Sequence, residues 1–449
     1  MIATHSPSER QRAGVALRQK VPRSAQGEWT RPAERADPTN LLIEQGKSRI
    51  QELLPIRYAR MSADPFAFLR GAAAVMAADL AHTPTTGIRL QACGDAHLAN
   101  FGSYATPEGS PVFDVNDFDE TLPAPFEWDL KRLATSLVVA GRVAQYSGKA
   151  ARDLARLTAR SYREQMAKLA CLPPVEAWNR RIDLVRAIEG IDEPKIRNAV
   201  EKHLAEVLES GAKHFGLAEE KDGAAHIREK PPLVYHLSNH ALPAHKAFAS
   251  YAETLQEDRR VLLQRYLLHD VAFKVVGVGS VGTFCAIGLL TAGDGSPLLL
   301  QIKEAQQSVL ACFAGPSEYA NHGERVVVGQ RMMQAATDVF LGWTRKPIDG
   351  RYFYIRRLKD SRLANIGTQL QAALPFYASL CGRTLARAHA RAGDAALMSG
   401  YIGTGRVFEE AISEFAMAYG DQTEKDWAAF LAAIKAGRIT ATVLETEKN

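Results

Sequence analysis

Cysteines are few and form no motif. The five, Cys93, Cys171, Cys285, Cys312 and Cys381, are scattered and odd in number, and none belongs to a Cys-x-x-Cys pair. This excludes a disulfide framework and a thiolate metal site, and predicts a cytoplasmic protein with reduced thiols. The first forty residues lack the apolar run of a secretory signal; they are polar and arginine-rich, and residues 1–40 are expected to be loosely ordered. Long apolar runs are nearly missing too. The stretch that approaches spanning length without a charge is "VVGVGSVGTFCAIGLLTAG", residues 275–293. Its five glycines and β-branched residues predict a buried glycine-rich hairpin instead, so no membrane association is expected. A large charge excess is also lacking. The net charge of +5 suits an anionic ligand such as a nucleotide, and no nucleic-acid partner is expected. There is no internal repeat and no low-complexity tract.

What is present is a chain of 449 residues, long enough for two or three lobes, with 46% hydrophobic and 23% charged residues, as in ordinary globular proteins. Residues 41–215 read as mainly helical, with helices over 64–81 and 127–146 and short strands over 87–93 and 110–117. Residues 216–268 read as a polar connection. Residues 269–360 alternate strand-like runs with glycine turns, "GDGS" among them. Residues 361–449 return to helix, including 374–393. The fold class expected is α+β, with the α-rich part first and the β-rich part second.

Two acidic stretches close behind predicted strands carry the chemistry. In "LQACGDAHLANFG", Asp95 and Asn100 are spaced D-x-x-x-x-N with His97 between them; "FDVNDFDET" adds Asp117 and Asp119. A phosphoryl-transfer site needs one carboxylate for the attacking hydroxyl, and an amide with a second carboxylate for Mg²⁺. Asx turns account for either stretch alone, but less readily for both together. A second signal is "GVGSVG", with Gly277, Gly279 and Gly282, followed by strand, turn and a strand carrying Lys303. That order fits a loop covering nucleotide phosphates better than the opening of a dinucleotide-binding helix. Glu324 on the following helix is the candidate ion-pair partner for Lys303, with Glu318 as its alternative. Asp129 begins a helix in "WDLKRLA". His236, His240 and His245 have loose metal-like spacing, broken by Pro243, and a zinc site there is disfavoured.

"CGDAHLAN", "NDFDE" and "WDLKRLA" resemble motifs of the protein-kinase-like superfamily, in its aminoglycoside- and choline-kinase branch. Cys93 stands where that branch has a histidine supporting the loop. The resemblance implies a two-lobed fold, Asp95 as catalytic base, His97 packing the loop and Asp129 bracing it. It implies Asn100, Asp117 and Asp119 around Mg²⁺, and Gly277, Gly279, Gly282 and Lys303 on ATP. In kinases the glycine loop and lysine precede the catalytic loop; here they follow it, which implies a circular permutation. End to end, from "KVPRSAQGEW" to "FAMAYGDQTEKDW", the chain also resembles a bacterial family catalogued as domain of unknown function 2252. The function these residues imply is Mg-ATP-dependent phosphotransfer to a hydroxyl on a small molecule or a protein. Nucleotidyl transfer at the same site, or nucleotide sensing without turnover, are the alternatives.

Overall fold

The computed structural model describes residues 5–212, 216–221, 224–236, 244–275, 277–358 and 371–443. Helices and antiparallel sheets make a mixed α+β protein. Twelve strands are described. β1 (Arg89–Ala92) pairs with β4 (Leu122–Pro125), and β2 (Phe101–Ala105) pairs with β3 (Pro111–Val115). β5 (Ala218–Lys221) and β6 (Ala224–Ile227) form a small hairpin. The main sheet has six strands in the order β11-β12-β10-β9-β8-β7. These are β7 (Val234–Tyr235), β8 (Tyr266–Lys274), β9 (Cys285–Ala292), β10 (Pro297–Ala305), β11 (Gly342–Trp343) and β12 (Tyr352–Arg357).

The uncharged 275–293 stretch thus contains all of β9 and, from residue 277, the turns that lead into it. No helix among the described residues is long and apolar enough to cross a membrane. Strand β10 lies in the interior of the sheet, with Lys303 opposite Cys285 on one neighbour and Tyr354 on the other.

The helical body centres on Phe126–Val143, packed by Gly148–Ala170, Leu374–Ala392 and Val407–Lys435. All of its residues from Phe126 to Gly141 are buried, so this helix is enclosed on every side rather than along one apolar stripe. That places Glu127, Asp129, Lys131 and Arg132 inside the protein, where polar groups need partners. The largest apolar cluster joins Leu90, Phe126 and Leu133 to Leu385 and Phe415, so early and late chain segments share one core. A second cluster, with Phe273, Ile302 and Phe353, covers one face of the main sheet.

Three expectations change. Residues 5–40 are not loose: Ser6 and Glu9 form a capping box on helix Pro7–Leu17. Arg35 is buried between Asp79 (2.7 Å) and Asp426 (2.6 Å), and these charges anchor a segment that composition reads as mobile. Residues 64–81 form two helices, Pro65–Gly71 and Ala73–Leu80, because Ala72 leaves helical geometry at φ −112°, ψ 36°. The stretch 216–268 is more than a connection: it contains β5 to β7, and β7 extends the main sheet through β8.

Candidate functional site

Asp95 sits in the turn after β1. Gly94 makes that turn possible: its φ is +83°, and a Cβ there would meet the Glu120 carbonyl oxygen at 2.2 Å. Asp129 fixes the turn from the helix below. Its carboxylate accepts hydrogen bonds from the Cys93 N–H (2.8 Å) and the Gly94 N–H (3.0 Å). Behind it stands His389, whose Nε2 is 3.2 Å from Asp129 and whose Nδ1 is 2.8 Å from the Tyr162 hydroxyl. Ser136 Oγ accepts from the Leu98 N–H (2.9 Å) and holds the far end of the same loop.

Asp95 receives Arg132 at 2.5 Å. Burial raises its pKa, and the Arg132 charge opposes that rise. Asn100 Nδ2 donates to the Asp95 carbonyl (2.7 Å), which leaves Asn100 Oδ1 for a ligand. His97 is buried, and burial together with the Arg70 and Arg132 charges holds its pKa well down. It is therefore a neutral ring packed edge-on to Phe66, 3.8 Å from Asp95.

Asp117 and Asp119 follow β3 and face β10. Lys303 Nζ is 2.7 Å from Asp119 Oδ2 and 3.7 Å from Asp117 Oδ1. Burial lowers the Lys303 pKa, but the two aspartates outweigh it and the net shift is strongly upward. Asp119 moves down for the mirror reason: Lys303 overcomes burial. Tyr354 donates to its other oxygen at 2.6 Å. Arg325 ties this turn to the sheet by donating to the carbonyls of Thr121 (2.6 Å), Asp119 (2.8 Å) and Gln306 (2.7 Å).

These parts meet at a cleft of about 530 Å³. Asp95, Asn100, Asp117 and Asp119 line one wall; Gly277, Gly279 and Ser280 line another. Lys303 lies just behind the aspartates, its side chain 3% exposed. The glycine loop is held down by Arg49, which donates to the carbonyls of Gly279 (2.8 Å) and Val281 (2.7 Å), and by Arg60 on the Gly277 carbonyl (2.6 Å). Gly282 has φ +88° and accepts from the Ile50 N–H at 2.7 Å.

One sequence assignment is corrected. Among the described residues the carboxylates that meet Lys303 are Asp119 and Asp117; Glu324 is not one of them. Glu324 sits in the first turn of helix His322–Met333, its backbone N–H capped by Asn321. Asp119 therefore takes the ion-pair role given to Glu324. One of its oxygens accepts from Lys303 and the other from Tyr354, and each keeps a second lone pair. The oxygen donors Asn100 Oδ1, Asp117 and Asp119 line the cleft and fit Mg²⁺, which commonly takes one or two protein oxygens and completes its shell with phosphate and water. No group of three His, Cys, Asp or Glu side chains among the described residues could hold a metal alone. At the other candidate, His236 is bonded to Glu229 (2.7 Å) and Asp270 (3.0 Å); His240 and the His245 side chain lie outside the described residues.

Arg132, His389, Tyr354 and the arginines near the glycine loop were not predicted. "WDLKRLA" did contain Arg132, one helical turn after Asp129, and that spacing was the available signal. Nothing local marks His389 as the partner of a residue 260 positions earlier.

Fold and cleft define a mixed α+β protein in which a sheet lysine is ion-paired to aspartates at the mouth of a polar cleft. The chain belongs to the bacterial family described as an uncharacterized protein conserved in bacteria (DUF2252), whose model matches residues 49–433. No curated protein and no solved structure matches it.

Proposed function

We propose that this protein is a Mg-ATP-dependent phosphotransferase acting on a hydroxyl acceptor, with a circularly permuted kinase-like fold. The observation that carries the reading is the convergence of Lys303, from the middle of the main sheet, with Asp117 and Asp119 beside Asp95 and Asn100 at one cleft. The reach of His389 to the catalytic loop supports the permutation. Helix Leu374–Ala392, late in the chain, packs against β1 and supplies the support that a helix leading into such a loop gives in kinases.

In this reading the acceptor hydroxyl lies beside Asp95, with Arg132 fixing the carboxylate. The hydroxyl oxygen bonds to the γ-phosphorus as the bond to the β–γ bridging oxygen breaks. The hydroxyl proton goes to Asp95, and ADP leaves with the bond's electron pair. The loop Gly277–Gly282 covers the phosphates and Lys303 offsets their charge. Asn100 and Asp117 would hold Mg²⁺, which supplies further neutralisation of phosphate oxygens. Catalysis then rests on positioning and electrostatics.

The test is incubation with ATP labelled at either the α or the γ phosphate, across hydroxyl-bearing acceptors, beside a thermal-shift titration with Mg-ATP. Transfer of γ label, and a melting shift that needs both Mg²⁺ and Asp117, is expected. Transfer of α label would establish nucleotidyl transfer instead. A shift indifferent to Mg²⁺ and to Asp117→Ala would overturn the metal assignment.

A further inference from the structure

The cleft also carries cations that close no ion pair among the described residues. Arg49, Arg57 and Arg70 all line it, and none has a carboxylate within ion-pair distance among the described residues. Arg57 is 1% exposed. It donates to the Gly71 carbonyl (2.7 Å) and the Gln45 amide oxygen (3.2 Å), while its Nε and Nη1 are buried without a partner. Arg49 spends its Nη1 on the glycine loop, and its Nε is also buried and unpartnered. Arg70 makes no hydrogen bond to any described residue; its guanidinium lies 5.8 Å from the Phe66 ring centre, with Nε buried and unpartnered. Guanidinium groups do not shed their charge at working pH, so uncompensated cations are held in a largely dry place. Arg49 and Arg57 also repel one another. Such an arrangement favours an incoming oxyanion, which a guanidinium fork meets with two parallel hydrogen bonds.

Location decides which oxyanion. Arg70 feels the Asp95 charge, and His97 feels that of Arg70, so this guanidinium stands on the catalytic-loop side of the cleft. The ATP phosphates already have Lys303 and the glycine loop. We propose that Arg70 and Arg57 form an oxyanion subsite, separate from the nucleotide, that holds the phosphate group of a phosphorylated small-molecule acceptor. Naming the ligand an acceptor rests on the phosphotransferase reading; the subsite itself does not.

Calorimetric titration of inorganic phosphate into the full-length protein tests it, with acetate as the carboxylate control and Mg-ADP as the nucleotide. Wild type binds phosphate in preference to acetate, and Arg70→Gln weakens that binding by about tenfold or more, with Arg70→Lys between. Arg70→Gln leaves Mg-ADP affinity within about threefold, and saturating Mg-ADP does not displace phosphate. Arg57→Gln, which also loses its bond to Gly71, is the second variant, with its fold checked by melting. Undiminished phosphate binding by Arg70→Gln overturns the subsite. Displacement by Mg-ADP overturns it as well, because the arginines then serve the nucleotide. Equal binding of acetate overturns the phosphate assignment. Arg70-dependent phosphate binding in a protein that does not bind Mg-ADP upholds the subsite and overturns the phosphotransferase reading instead.

Discussion

His389 Nε2 lies 3.2 Å from Asp129 Oδ2, and through that carboxylate it supports the backbone N–H groups of Cys93 and Gly94. All four residues are buried, so none of these bonds is readily replaced by water. Asp129→Ala leaves two backbone donors without their acceptor and costs about 2–4 kcal/mol. His389→Phe keeps those two bonds, loses its own two to Asp129 and Tyr162, and costs about 1–3 kcal/mol. Urea melts of both variants check the order; a larger loss for His389→Phe would contradict the bracing role.

Lys303 and Asp119 differ in depth, and the two single variants should differ accordingly. The lysine side chain is 3% exposed and the aspartate 27%. Asp119→Asn leaves a deeply buried ammonium with only Asp117, at 3.7 Å, and costs about 3 kcal/mol. Lys303→Met leaves a carboxylate that keeps Tyr354 and reaches solvent, and costs about 1 kcal/mol. Chemical denaturation of both variants and of the double variant reads the coupling, which should exceed about 1 kcal/mol.

Gly94→Ala combines a left-handed φ with an overlap against the Glu120 backbone. Backbone cannot swing aside as a side chain can. A loss of at least about 2 kcal/mol is expected, with the proposed phosphotransfer falling further than the fraction unfolded explains. Full activity in a folded Gly94→Ala protein would show that the turn tolerates movement.

On the proposed phosphotransfer mechanism, Asp95→Asn keeps the shape of the loop but removes the proposed proton acceptor. Turnover should fall by about 10²- to 10⁴-fold while the affinity for Mg-ADP stays within about threefold. Equal losses in both quantities would place Asp95 in nucleotide binding.

Lys131 gives the clearest pH signature. Burial lowers its pKa to about 8, with Glu127 only partly opposing, and its ammonium has no hydrogen-bond partner among the described residues, facing the Phe415 ring at 4.7 Å. The unfolded chain holds this proton up to about 10.4, so between these values the unfolded state binds more protons and stability rises with pH. Below the folded value the full penalty is present. Lys131→Met should be more stable than wild type by on the order of 2–3 kcal/mol near neutral pH, with the gap closing towards about pH 10. A gap constant across that range would refute the assignment.

Local chemistry made much of this legible. Strands β8, β9 and β10 announced themselves through β-branched runs and the "GDGS" turn, and Asp95, Asn100 and Asp117 through their spacing behind short strands. The partner of Lys303 was not readable, because Asp119, Glu318 and Glu324 are chemically alike and only tertiary packing selects among them. The order of the N-terminal segment was missed for a related reason. Arginine-rich composition looks like solvated chain, yet Arg35 is neutralised by Asp79 and by Asp426, the latter 391 residues away. His389 sits in an alanine- and arginine-rich helix, where nothing marks it for burial against a carboxylate.

The support that His389 gives to the Asp95 turn carries a consequence for synthesis. The residues of that turn are made before the main sheet and well before the helix that steadies them. A nascent chain that already displays Asp95 and Asp117 still lacks both the sheet lysine and the imidazole behind the turn. The cleft stays incomplete until translation has passed His389.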